Sequence, residues 1–132
     1  MSAIGMGGAG GVLTMARKQL REDLTIAHQL IAHYGWDDLV WNHISGRLPN
    51  TPADQAVVTP GNLMFDEITP SSLVTGSVNN TATVIHRAIY EGRPDINCIV
   101  HSHAPSIMAV SVLTEGFQYL TQDAAQFYGG LS

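Results

Sequence analysis

Cysteine is nearly absent from these 132 residues, and the one present, Cys98, excludes an internal disulfide. Charge is scarce as well. Asp, Glu, Lys and Arg make up 13% of the chain, too little for a disordered, self-repelling polymer. Six Lys and Arg stand against eleven Asp and Glu, giving a formal net charge of −5. Such a balance offers no basic face for nucleic acid. A small anionic substrate remains compatible with it, because a local metal or helix end outweighs a global charge. No apolar run approaches the ~18–20 residues of a membrane span. Residues 1–11 are rich in Gly, Ala and Met and lack the basic start and long apolar stretch of a signal peptide. These absences predict a cytoplasmic protein without membrane or nucleic-acid partners. In a reducing compartment Cys98, set in an apolar run, reads as a small buried hydrophobe.

What is present suits one mixed domain. Apolar residues form 45% of the chain, enough for a core at this length. Residues 1–15 read as a flexible arm and residues 16–132 as the domain. Leu20, Leu24, Ala27, Leu30, Ile31 and Tyr34 recur at helical spacing, predicting a helix over 16–34 that stops at Gly35. Residues 39–48 and 57–59 read as strands, 60–62 as a turn, and 69–72 as a turn or helix start. A second helix is expected from about residue 80 to 90, with Val84, Ile85, Ala88 and Ile89 as its buried stripe. Residues 93–95 turn into an apolar strand over 96–102. Pro105 suits the first turn of a helix over 105–113. A short strand over 119–121 and a turn or helix over 122–128 complete an α/β pattern without internal repeats.

The strand over 96–102 leads to the chemistry. Side chains alternate along it, so Asn97, Ile99, His101 and His103 share one face. Two imidazoles at i and i+2 stand roughly 6–7 Å apart at the backbone. They can lean onto one ion with metal–nitrogen distances near ~2.1 Å. Zinc, cobalt and manganese accept such a pair, with zinc the default for imidazole. The alternative is two incidental histidines at a strand end. A catalytic zinc site normally has three protein ligands and an open position.

The flanking residues sharpen this. The runs Tyr90-Glu91-Gly92-Arg93-Pro94-Asp95 through His101-Ser102-His103, Trp41-Asn42-His43-Ile44-Ser45-Gly46-Arg47, and Thr59-Pro60-Gly61 through Phe65-Asp66-Glu67-Ile68 resemble the class II aldolase/adducin-head family. So does the helix from Ala27-His28 to Tyr34-Gly35-Trp36. The motifs keep the family's order over most of residues 16–128. The resemblance implies a three-layer α/β domain with a mainly antiparallel central sheet flanked by helices. It also implies a divalent metal, most simply Zn2+, held by His101, His103 and a later histidine. Lewis-acid stabilisation of the enediolate left by C–C cleavage is the chemistry implied, with a small-molecule substrate and a homo-oligomer. The family also contains the non-enzymatic adducin head.

Three departures qualify that expectation. No histidine follows His103, so the domain reads as incomplete at its C-terminal side relative to the family. Ala82 stands where the sugar-phosphate aldolases carry a catalytic glutamate, and alanine transfers no proton. His86, one helical turn on, is a candidate third ligand or base. The segment 73–78 is short where the family inserts a hairpin, leaving a sheet edge to be covered. Three functions stay open: a metal-dependent lyase acting through an enolate, an adducin-like assembly module, and a cyclase or isomerase using histidine acid–base chemistry.

Other candidates follow from position. His43, Ser45 and Arg47 point the same way and are candidate substrate-pocket residues, Arg47 for a carboxylate or phosphate or else a surface salt bridge. Thr59, Gly61 and Asn62 form a loop able to offer N–H groups to an anion, or a plain turn. Asp123 is a candidate proton carrier or a helix cap. Asp66 and Glu67 read as a solvated helix-start pair, and Arg93 and Asp95 as turn residues.

Overall fold

The computed structural model describes residues 9–76 and 80–130. Helix α1 spans Ala9–His33 and begins seven residues before the predicted start, so residues 9–15 are helical rather than part of an arm. It ends as expected. Gly35 takes φ 65°, its N–H donates to Ala32 O, and the Trp36 N–H reaches back to Ile31 O. This double closure of the last turn favours glycine at the left-handed position.

Among the described residues four short strands follow: β1 His43–Gly46, β2 Val57–Val58, β3 Val74–Thr75 and β4 Cys98–His101. They form one antiparallel sheet in the order β3-β2-β1-β4. The 39–48 and 96–102 segments are therefore strand only in their centres. Leu39 has φ 48° and lies in a turn before β1. Helix α2 covers Asn80–Gly92, α3 covers Pro105–Ser111 with Pro105 at its start, and α4 covers Gln122–Ala125. Residues 119–121 form no strand.

Alternation along β1 sorts the layers. Ile44 and Gly46 face α1, while His43 and Ser45 face α2. The core lies on the α1 side, where Leu24, Ile44, Val57, Phe65, Ile68 and Leu73 are buried together. Full burial of a side chain such as Ile44 or Phe65 stabilises by roughly 1.5–3 kcal/mol. Gly46 lets α1 approach closely, since a Cβ there would lie 3.0 Å from Leu20 Cδ1 and 3.2 Å from Leu24 Cδ2.

The α2 side is built differently. The predicted apolar stripe of α2 is not its buried face: Val84 is 70% exposed, and Ile85 and Ala88 are exposed too. Ala82, His86 and Tyr90 are buried instead. The reason is polar pairing. His86 and Tyr90 find hydrogen-bond partners on β1, and a satisfied polar face is buried at little cost. β4 sits at the sheet edge, which leaves Val100 and Cys98 exposed. Cys98 is therefore not the buried hydrophobe that its neighbours suggest.

Candidate functional site

The β1–β4 register brings the histidines together. His43 stands opposite His101, and Ser45 opposite Ile99. Opposed residues of an antiparallel pair point to the same face, so His101 joins His43 and Ser45 on the α2 side. The His43 and His101 rings stack with centroids 4.4 Å apart and planes within 11°. Beyond the strand end, His103 turns back, and its Nε2 lies 3.1 Å from His101 Nε2. A tetrahedral ion with bonds of about 2.1 Å separates two ligand nitrogens by roughly 3.4 Å. The two nitrogens thus converge as two ligands of one ion would.

Both rings of the stack are neutral at pH 7. Burial, then the charges of His86, His101 and His103, lower His43 from 6.5 to about 4. Burial, then His103, lowers His101. Neutral imidazole is the form that ligates metal.

His86 lies on the far side of His43. Its Nε2 is 2.8 Å from His43 Nδ1 and its Nδ1 2.6 Å from Ser45 Oγ. Ser45 Oγ is in turn 2.9 Å from Tyr90 Oη. With both nitrogens engaged, His86 does not converge on His101 and His103, which corrects its expected role as a third ligand. Among the described residues, no three His, Cys, Asp or Glu side chains converge as a metal shell. Burial, then His101, lowers His86 to about 4, and burial raises Tyr90 against the pull of Ser45. The result is a relay Tyr90–Ser45–His86–His43 in which each group has one hydrogen to give. Its last atom, His43 Nε2, is buried without a hydrogen-bond partner. It carries a lone pair when the relay points toward Tyr90 and a proton when it points the other way. Ala82, fully buried, borders a cavity of about 30 Å³ that Ser45, His86 and Tyr90 also line.

Three residues missed by pattern reading surround His103. Asp38 Oδ2 is 3.5 Å from its Nδ1. Asn42 Oδ1 accepts its backbone N–H at 3.0 Å. The Trp41 ring lies beside it, centroids 6.5 Å apart. Only the loop turning at Leu39 brings Asp38 to His103, and no spacing rule encodes that fold-back.

The other candidates are dispersed. Arg47 is buried and, among the described residues, forms no direct ion pair. Its guanidinium donates to the carbonyls of Thr51, Tyr90, Arg93, Pro94 and Ile96 and lies 4.4 Å over the Tyr90 ring. It caps the α2 end, correcting both readings made for it. Thr59 is a core residue whose hydroxyl meets His28 Nε2 at 2.7 Å and the Ile44 backbone. Gly61 and Asn62 form an exposed turn. Asp123 is exposed in the first turn of α4, and the cap there is Thr121, whose Oγ1 accepts the Ala124 N–H. Arg93 and Asp95 pair in two short bonds of 2.9 and 2.7 Å. Glu67 accepts the Met64 N–H on the surface.

Comparison with known proteins adds the family. The family model described as the class II aldolase and adducin N-terminal domain matches residues 22–132. A Pseudomonas aeruginosa protein titled "Putative aldolase class 2 protein" is 36% identical over 91% of this chain and 50% of its own length. Rat alpha-adducin is 36% identical over 81% of this chain and 16% of its own. The structure of L-fuculose 1-phosphate aldolase from Glaciozyma antarctica superposes with a TM-score of 0.79 at 29% identity, over 97% of this chain and 55% of that one. The chain spans half, or less, of the length of these curated relatives. The three-layer α/β fold, the ordered motifs and the paired histidines have one common account: the chain belongs to the class II aldolase/adducin family.

Proposed function

We propose that the chain carries the metal-binding histidines of an aldolase-type lyase acting on a small hydroxy-carbonyl substrate. The observation that carries this reading is the 3.1 Å approach of His101 Nε2 to His103 Nε2 within a family that includes aldolases. These two residues would hold a divalent ion, zinc by preference for imidazole. Such an ion would supply Lewis acidity to the substrate's carbonyl.

The remaining work falls to the protein's own groups. Ala82 offers no acid, so the proton-handling group in this reading is His43, through the Nε2 at the end of its relay. His86 and Ser45 connect that atom to Tyr90 and set its tautomer. Asp123, exposed on α4, is the lesser candidate for the same role. A cytoplasmic, self-associating enzyme fits the reading, since Val100 on the edge strand and Ile107 and Met108 on α3 are exposed apolar positions of a kind that subunit contacts cover.

Metal titration and an aldol-cleavage assay on hydroxy-carbonyl phosphates test it. Zinc, cobalt or manganese binding that is lost in His101→Ala and His103→Ala, with cleavage lost in parallel, supports the reading. Metal-free protein whose activity survives His101→Ala defeats it. Activity that ignores chelator would favour an isomerase or cyclase working through the histidine relay.

A second reading has its own support. Ala82 and the likeness to alpha-adducin favour a non-catalytic assembly module. That reading expects self-association indifferent to chelator and to His103→Ala.

A further inference from the structure

The two paired histidines are not held alike. His101 is braced by its strand and by the stacked His43 ring. His103 lies past the end of β4 and has no strand partner. What fixes it comes from the loop before β1. The Asp38 carbonyl accepts two hydrogen bonds, from the Trp41 N–H at 3.1 Å and from Asn42 Nδ2 at 2.9 Å. Leu39 adopts φ 48° between them, a conformation that is strained for a non-glycine residue and persists only when its surroundings impose it. Asn42 is buried, and its other amide atom accepts the His103 N–H. One asparagine side chain therefore ties the loop to the histidine's backbone. The same turn sets the Asp38 carboxylate against His103 Nδ1.

We propose that Asp38, held by Asn42, is the positioning residue of His103 in the metal site; this rests on the metal-binding reading above. A carboxylate beside Nδ1 draws the ring proton to that nitrogen. Nε2 is left with its lone pair, facing His101. Carboxylate–histidine–metal arrangements act in this way and raise the basicity of the ligand. The metal-free state then has a defined proton order. His103 carries its hydrogen on Nδ1 and accepts at Nε2 from His101 Nε2–H. Binding an ion requires only that His101 move its hydrogen to Nδ1, so His103 enters the site prepared and no proton need be released.

The test reads tautomer and affinity separately. Nitrogen NMR of histidine-labelled, metal-free protein is expected to show His103 as the Nδ1–H form and His101 as the Nε2–H form. In Asp38→Ala the His103 signal should move toward a tautomer mixture. Zinc affinity, measured by competition with a chromophoric chelator, should fall about 10–100-fold. Asp38→Asn keeps the size of the side chain and an acceptor oxygen. It should fall between the two, and it serves if Asp38→Ala does not fold. A wild-type His103 in the Nε2–H form overturns the proposal. So does zinc affinity and tautomer unchanged in both variants. Wild type that binds no zinc, yet loses the His103 tautomer in Asp38→Ala, defeats the metal reading and leaves the positioning role standing.

Discussion

At the scale of single residues, Gly46 and Arg47 are neighbours with opposite duties. Gly46 is small so that α1 can reach the sheet. Gly46→Val would drive methyl groups into Leu20 and Leu24, and overpacking of this kind costs about 1–3 kcal/mol. Urea unfolding should record that loss, and an unchanged midpoint would mean that α1 shifts freely. Arg47 satisfies five carbonyls at once. Arg47→Met keeps much of the packing and orphans those acceptors, so a loss of roughly 1–3 kcal/mol is expected. Arg47→Lys should rescue little, because an ammonium cannot reproduce the planar fork. His101 is legible from strand alternation, whereas His103 lies past the end of β4 and is seated by Asn42 from the loop before β1. Arg47 was misread because nothing in its local sequence reveals five carbonyls gathered from three separate segments.

At the scale of elements, α2 meets the sheet through a polar seam. His86, Ser45, His43 and Tyr90 fill the place that a hydrophobic stripe was expected to take. Periodicity found the helix, and it misjudged the face because hydrogen-bond satisfaction, not hydropathy, decides which side of α2 is buried. Val84→Ser should then change stability by less than about 0.5 kcal/mol. Leu24→Ala, on the α1 side, should cost about 2–5 kcal/mol. Buried histidines on both sides of the sheet, His28 on α1 and His43 and His86 in the seam, make stability depend on pH. His28, His43 and His86 are buried and neutral, each lowered chiefly by burial, the latter two to about 4. Unfolded, each takes up a proton near 6.5. The unfolded chain therefore binds more protons below that pH, and stability rises with pH across the window. It is full above about pH 6.5 and is lost as pH falls toward 4. Urea midpoints measured from pH 7.5 to 4.5 should decline steadily, and a flat profile in the absence of added metal would contradict the buried neutral assignment.

At the scale of the whole molecule, the order of motifs along the chain was enough to foresee the three-layer α/β domain. The short segment between β3 and α2, where a trimmed sheet edge was expected, falls partly on residues 77–79, outside the described residues. Among the described residues the sheet has an edge on that side at β3, only two residues long, and a second edge at β4. Metal binding is the global readout of the site. An ion that binds the folded chain alone stabilises it by about 2.7 kcal/mol at a hundredfold excess over its dissociation constant. Zinc should thus raise the unfolding temperature of the native chain and leave that of His101→Ala/His103→Ala unmoved. Equal shifts in both proteins would assign zinc to some other place.

The bond from the His103 N–H to Asn42 joins residues 61 positions apart. Loops of that length close late and slowly, since the entropy of closure precedes any gain from the contact. A chain with only α1 and the β1–β2 hairpin formed has His43 in place and nothing opposite it. The His43–His101 stack and the seating of His103 on Asn42 therefore come into being with the last long-range pairing, that of β4. Cobalt added during refolding should consequently acquire its ligand-field absorption only in the slowest phase, later than helix formation seen by circular dichroism. The metal site would then serve as a clock for the completion of the fold.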